Sequence, residues 1–150
     1  MIQRKQTIYL LLALIAVAVC LCLQIGSFEP TTMGPPLQMF NLFVVSNGAP
    51  SPVVWPLFAL LVVAAPLILV TIFAYKNRKR QARLCVLNIV LCLAWAVAYA
   101  VIGWVVGVEK MAFRPELAAA LPVVAVILLV MARNGILADE RLVRAADRIR

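Results

Sequence analysis

Cys85, Asn88, Cys92, Ala96, Ala100, Gly103 and Gly107 are spaced 3, 4, 4, 4, 3 and 4 residues apart. That rhythm stays close to a helical turn of about 3.6 residues, so on a helix they form one stripe of small or polar side chains. Gly103 to Gly107 is also a G-x-x-x-G. The chemistry on offer is close backbone approach and hydrogen bonding between helices, which drive association in lipid because lipid tails are as apolar as leucine. Asn88 is expected to bond across such an interface, at about 0.6–2 kcal/mol. The stripe serves either packing inside the chain's own bundle or contact with a second protein.

Reactive chemistry has little to work with. There is no histidine, which removes the commonest general base and neutral metal ligand. Glycine-rich phosphate loops are absent, and no carboxyl group falls inside the apolar segments defined below. Cys20 and Cys22 form one pair and Cys85 and Cys92 another, neither of them C-x-x-C. At a rise of about 1.5 Å per residue the pairs lie at different depths, whereas a disulfide needs Cα atoms within about 7 Å. They read as small buried hydrophobes. No catalytic, cofactor or metal site is expected, and the chain reads as a non-enzyme.

The elements that position these residues follow from composition. The 150 residues are 65% hydrophobic and 13% charged, with a mean hydropathy of +1.04. A soluble domain carries about 25% charged residues, so that class is excluded. Four apolar segments, at about 7–25, 53–75, 84–108 and 117–132, match the roughly 20 residues that cross a bilayer core. Lipid offers no partners to backbone groups, so they must be helices. The expected fold is an all-α membrane protein, a four-transmembrane-helix bundle, with Pro66 and Pro122 as mid-span kink sites.

Charge gives the orientation. Arg4, Lys5, Lys76, Arg78, Lys79, Arg80, Arg83, Arg133, Arg141, Arg144, Arg148 and Arg150 fall on one side, against Lys110 and Arg114 on the other. This 12-to-2 split predicts a cytoplasmic N-terminus, middle loop and C-terminus. The first segment reads as a retained span: no A-x-A site follows Leu23, and Val19 is too large for a lipoprotein cut before Cys20.

The outer loop, 26–52, is rich in turn formers, and Leu37 to Ser46 within it suits a strand ahead of the Asn47-Gly48 turn. A short β-hairpin or an irregular lid is expected. The middle loop, Lys76 to Arg83, lacks the interleaved aromatics of a base reader. Its expected contacts are anionic membrane lipids rather than nucleic acid. In the tail, Ala138, Leu142, Ala145 and Ile149 recur at helical spacing, predicting a separate cytoplasmic helix at about 138–149 that docks on the bundle or a partner.

The opening Met1-Ile2-Gln3-Arg4-Lys5-Gln6-Thr7-Ile8-Tyr9-Leu10 and the ending from Asn134 to Arg150 resemble those of the family of small four-helix membrane proteins called domain of unknown function 4293. The resemblance implies a Bacteroidetes-type bacterium and its inner membrane. It carries no activity or site residue. It draws attention to the ends, and Gln3, Arg4 and Gln6 are expected to meet the Asp139 to Arg148 stretch in one docking surface. The expected function is a non-catalytic accessory or scaffold subunit that binds a larger membrane complex through the helix stripe or the basic surface. The alternative is a binder or carrier of a lipid or other hydrophobic small molecule within the bundle.

Overall fold

The computed structural model describes residues 2–30, 34–46, 48–107 and 111–147, and the side chains of these except 2–4, 46, 106, 107 and 147. Asn47, Val108, Lys110 and residues 148–150, which include Arg148 and Ile149, lie outside the described residues, as does the side chain of Arg4.

Four helices, α1 (Ile2–Cys22), α2 (Trp55–Phe73), α3 (Arg78–Gly107) and α4 (Leu121–Asp147), are long and apolar enough to cross a membrane. They alternate in direction, and each packs on its neighbours in sequence, with α4 closing back on α1. One end of the bundle holds the N-terminus, the α2–α3 connection and the end of α4, and is rich in cations. The other end carries a small sheet.

The helices outrun the apolar segments at the basic end. α1 starts at Ile2 rather than Thr7, and α3 starts at Arg78 rather than Leu84. The larger correction concerns α4. The sequence predicts a span over 117–132 and a separate helix at 138–149. The structure shows a 3-10 turn at Leu117–Ala120 and then one unbroken helix to Asp147. Its buried positions Ala125, Leu129, Ala132, Ile136 and Asp139 run through Asn134-Gly135 without a phase change. Gly135 costs about 1 kcal/mol of helix propensity, but its bare backbone faces α1, where a Cβ would meet Gln6 Cγ at 3.0 Å. Ala138, Leu142 and Ala145 are exposed, so that apolar face turns away from the bundle. Pro122 lies in the first turn of α4, where proline is tolerated, and not in mid-helix. Pro66 does lie inside α2.

The outer loop forms more sheet than expected. β1 (Gly26–Pro30), β2 (Leu37–Met39), β3 (Val44–Ser46), β4 (Ala49–Ser51) and β5 (Met111–Pro115) pair antiparallel in the order β4-β3-β2-β1-β5. The stretch 37–46, read as one strand, folds back on itself between Phe40 and Phe43, whose backbone N–H and C=O bond at 2.9 Å. Asn41 takes a turn position there, which suits its side chain. A second hairpin joins β3 to β4 through Gly48, whose φ of 82° is open to glycine at little cost. β5 comes from the α3–α4 connection and pairs with β1 through Gly26↔Pro115 to Pro30↔Met111.

The core runs the length of the molecule. Leu10, Val17, Leu57, Leu61, Ile68, Trp95, Leu129 and Ile136 are fully buried between the helices, and Ile25, Phe28 and Met39 carry burial into the sheet.

Candidate functional site

Polar side chains in an apolar bundle need partners, because an unpaired buried group costs about 1–3 kcal/mol. Three clusters meet this demand. At the sheet end, Asn41 Nδ2 donates to the Cys20 carbonyl (2.6 Å) and Trp95 Nε1 donates to Asn41 Oδ1 (2.9 Å). One turn side chain thereby joins α1 to α3. The Tyr99 hydroxyl donates to the Ile25 carbonyl (2.6 Å), which also accepts from Glu116 N–H (3.1 Å). Trp95 and Tyr99 stack at 5.1 Å, and Tyr99 and Phe28 each contact Phe113, at 5.4 and 5.0 Å between ring centres. This aromatic column seats the sheet on α3.

Close to the α2–α3 connection, Gln81 in the first turn of α3 donates from Nε2 to the carbonyl of Thr71 in the last turn of α2 (3.1 Å). Asn88 Nδ2 donates to the Leu84 carbonyl (2.9 Å) and at longer range to Thr71 Oγ1 (3.4 Å). Asn88 therefore reaches across to α2, while its Oδ1 is buried without a hydrogen-bond partner among the described residues.

At the basic end, Gln6 Nε2 donates to Asp139 Oδ2 (2.8 Å), and Arg78 donates to the Asp139 carbonyl (3.0 Å). Gln6 and Asp139 are both buried, so the two ends of the chain meet here through their side chains. Burying one such group alone is costly, whereas replacing both partners with apolar groups is nearly neutral. Gln6→Met alone should therefore destabilise the protein by about 2 kcal/mol. Gln6→Met with Asp139→Leu should cost less than that single change, as measured by denaturant titration in micelles.

The stripe on α3 divides. Cys85, Asn88, Cys92 and Gly103 are buried, Ala96 is half-buried and Ala100 is exposed. The face turned to the bundle instead continues through Trp95 and Tyr99, because each step of four residues overshoots a turn by about 40°. At Gly103 the nearest neighbour is the Phe113 ring, which a Cβ would approach to 2.7 Å. Gly107 ends α3, and its surroundings lie outside the described residues. All four cysteines are free, with Cys22 exposed and the others buried.

Of the stripe, Ala96 borders an open cleft of about 480 Å³ between α3 and the start of α4, lined also by Trp95, Tyr99, Glu116, Ala119 and Ala120 among others. At the other end, Lys5, Lys76, Lys79, Arg80, Arg83 and Arg144 are exposed and Arg78 is half-buried. Lys79, Arg83, Arg133 and Arg144 converge with Glu140 on a second open cleft, of about 270 Å³. The sequence reading missed Asn41, hidden in an aromatic run, and the part played by Trp95 and Tyr99. The recurrence of aromatics at 95 and 99 beside a small-residue stripe was the available signal.

The family model described as a domain of unknown function (DUF4293) matches residues 2–149. The chain belongs to this family. The match takes in all four helices and all five strands, so the sheet and the polar clusters sit inside the family's domain. No curated protein matches the sequence.

Proposed function

We propose that this DUF4293 chain is a four-span protein of the bacterial inner membrane, with both termini and the Lys76–Arg83 stretch in the cytoplasm and the sheet outside. It acts as a non-catalytic accessory or scaffold subunit that binds a membrane-spanning helix of a larger complex. The 12-to-2 split of basic residues supports the orientation. The observation that carries the function is the cleft beside Ala96, Ala119 and Ala120. The chain's own buried polar groups are largely spent on each other, while the cleft is open, with Ala120 exposed and Ala96 and Ala119 half-buried along it. Small residues at a lipid-facing surface admit the close backbone approach that holds membrane helices together. Trp95 and Tyr99 add aromatic walls to the cleft.

The runner-up, a binder of a hydrophobic small molecule within the bundle, has less support. The bundle axis is filled by buried Leu61, Ile68, Trp95 and Leu129, and the clefts described above open on the surface.

Purification in a mild detergent followed by mass spectrometry tests the proposal. A stoichiometric membrane protein should accompany the wild-type chain. Ala96→Leu with Ala120→Leu, which fills the cleft, should lower its recovery by at least about tenfold, as expected for losing about 1.4 kcal/mol or more, with thermal stability unchanged. A solitary wild-type protein, or a partner indifferent to both leucines, contradicts it.

A further inference from the structure

We propose that the second cleft, between the first turns of α3 and the second half of α4 from Arg133 onward, is a binding site for the phosphate of an anionic phospholipid. The inference rests on the membrane-spanning reading above but is independent of the partner.

Four cations, Lys79, Arg83, Arg133 and Arg144, line this cleft against one carboxyl group, Glu140. That group is already engaged, since Arg144 pairs with it at 2.5 Å. Among the described residues no carboxyl group lies within ion-pair distance of Lys79, Arg83 or Arg133. Arg133 is the informative member. It is half-buried, and its Nε is shielded from solvent with no hydrogen-bond partner among the described residues. The packing of two helices covers that edge of the guanidinium, and Arg133 has no ion-pair partner among the described residues, so the donors it presents in the cleft are left for an acceptor from outside the chain. Its planar fork matches phosphate oxygens.

The surroundings select the ligand. Val86 and Leu137 form the apolar part of the cleft, and one turn further from the basic end Val90 and Val130 are exposed on the same two helices. A ligand bound here therefore has a cationic site for its head and an apolar track for a tail. A diacyl phosphodiester fits both, and basic pockets between spans on the cytoplasmic side are suited to such headgroups. Inorganic phosphate would use the cations and leave the valine track empty.

The test uses the full chain in detergent, read by native mass spectrometry with phosphatidylglycerol, phosphatidylcholine or inorganic phosphate added. The wild type should hold phosphatidylglycerol at least about tenfold more tightly than phosphatidylcholine. With each interfacial cation contributing a factor of about five, Arg83→Gln should weaken it about fivefold and Arg83→Gln with Arg133→Gln about twenty-five-fold. Arg133→Lys, which keeps the charge but loses the planar fork, should weaken it less than Arg133→Gln does and more than Arg141→Gln. Arg141→Gln, exposed and outside the cleft, should change it by less than about twofold, because only charges in the cleft face the headgroup. Should the Arg133 variant fail to fold, Lys79→Gln with Arg83→Gln changes two exposed positions and should likewise weaken binding about twenty-five-fold.

Equal weakening by Arg141→Gln, equal affinity for phosphatidylcholine, or inorganic phosphate binding as tightly as phosphatidylglycerol would each overturn the assignment. An alkaline carbonate wash of cell membranes separates the two levels. Retention in the pellet without lipid preference removes only this site, whereas release of the chain removes the membrane reading as well.

Discussion

Replacing Asn41 with alanine should destabilise the protein by about 3 kcal/mol, the largest effect expected of any single polar truncation. Asn41 is 1% exposed and sits between two helices that it does not belong to. Its amide accepts from Trp95 Nε1 at 2.9 Å and donates to the Cys20 carbonyl at 2.6 Å. Alanine leaves a fully buried indole N–H without its acceptor, takes one donor from a carbonyl at the end of α1 and opens a small cavity under the β2–β3 turn. Each loss costs about 1 kcal/mol or more. Asn41→Asp sharpens the test: it keeps an acceptor for Trp95 but sets a carboxyl oxygen against the Cys20 carbonyl, so it should not restore stability. Unfolding in micelles with increasing dodecyl sulfate measures both. A loss below about 0.5 kcal/mol, the level of an ordinary surface substitution, would mean that the turn does not bridge the helices.

The second large effect is a change of sign. In a helix interior alanine is favoured over glycine by about 1 kcal/mol, so Gly103→Ala in α3 would stabilise if the site were open. The structure places a Cβ at that position 2.7 and 2.8 Å from atoms of the Phe113 ring. The ring has little freedom to swing away, being held by Phe28, by Tyr99 and by the Gly26 backbone, where a Cβ would also lie 3.0 Å from it. Overpacking of this kind costs about 1–3 kcal/mol, which outweighs the propensity gain. Gly103→Ala should thus destabilise by about 1–2 kcal/mol. In a Phe113→Leu background the clash is relieved and the same change should become neutral or stabilising. The coupling energy should reach about 2 kcal/mol, well beyond what independent sites show. Strict additivity would place Phe113 elsewhere.

These two sites mark where the sequence was readable and where it was not. The four long helices were legible because a run of apolar residues from Ile8 to Leu23, or from Val53 to Tyr75, has few other uses in a folded chain. Their basic ends were not, since hydropathy falls at Gln6, Arg78 or Arg133 while the helix continues. In α4 the apolar-to-polar change at Arg133 and the Asn134-Gly135 pair mimicked a helix end. The burial rhythm from Ala125 to Asp139 was the better guide. β5 was illegible for another reason: Met111–Pro115 is short and contains Arg114 and Pro115, and it becomes a strand only because the bundle returns it beside β1. Its exposed Arg114–Glu29 pair, at 3.0 Å, contributes little by itself.

The α3 stripe shows a subtler limit. Spacing placed Cys85, Asn88 and Cys92 on one face, and they are buried together. Extending the pattern by fours let it drift off that face, so Ala96 and Ala100 emerge at the edge and outside. That drift separates the part of the stripe used by the bundle from the part that faces outward, which local sequence could not decide.

Side-specific labelling tests the four-span arrangement most directly. In a chain carrying Cys22→Ser, single cysteines replace Gly48 at the sheet tip or Arg80 at the basic end. Right-side-out membrane vesicles are then treated with a membrane-impermeant maleimide. Position 48 should label rapidly in sealed vesicles, and position 80 only after lysis. Labelling at 80 in sealed vesicles, or at both positions alike, would contradict it.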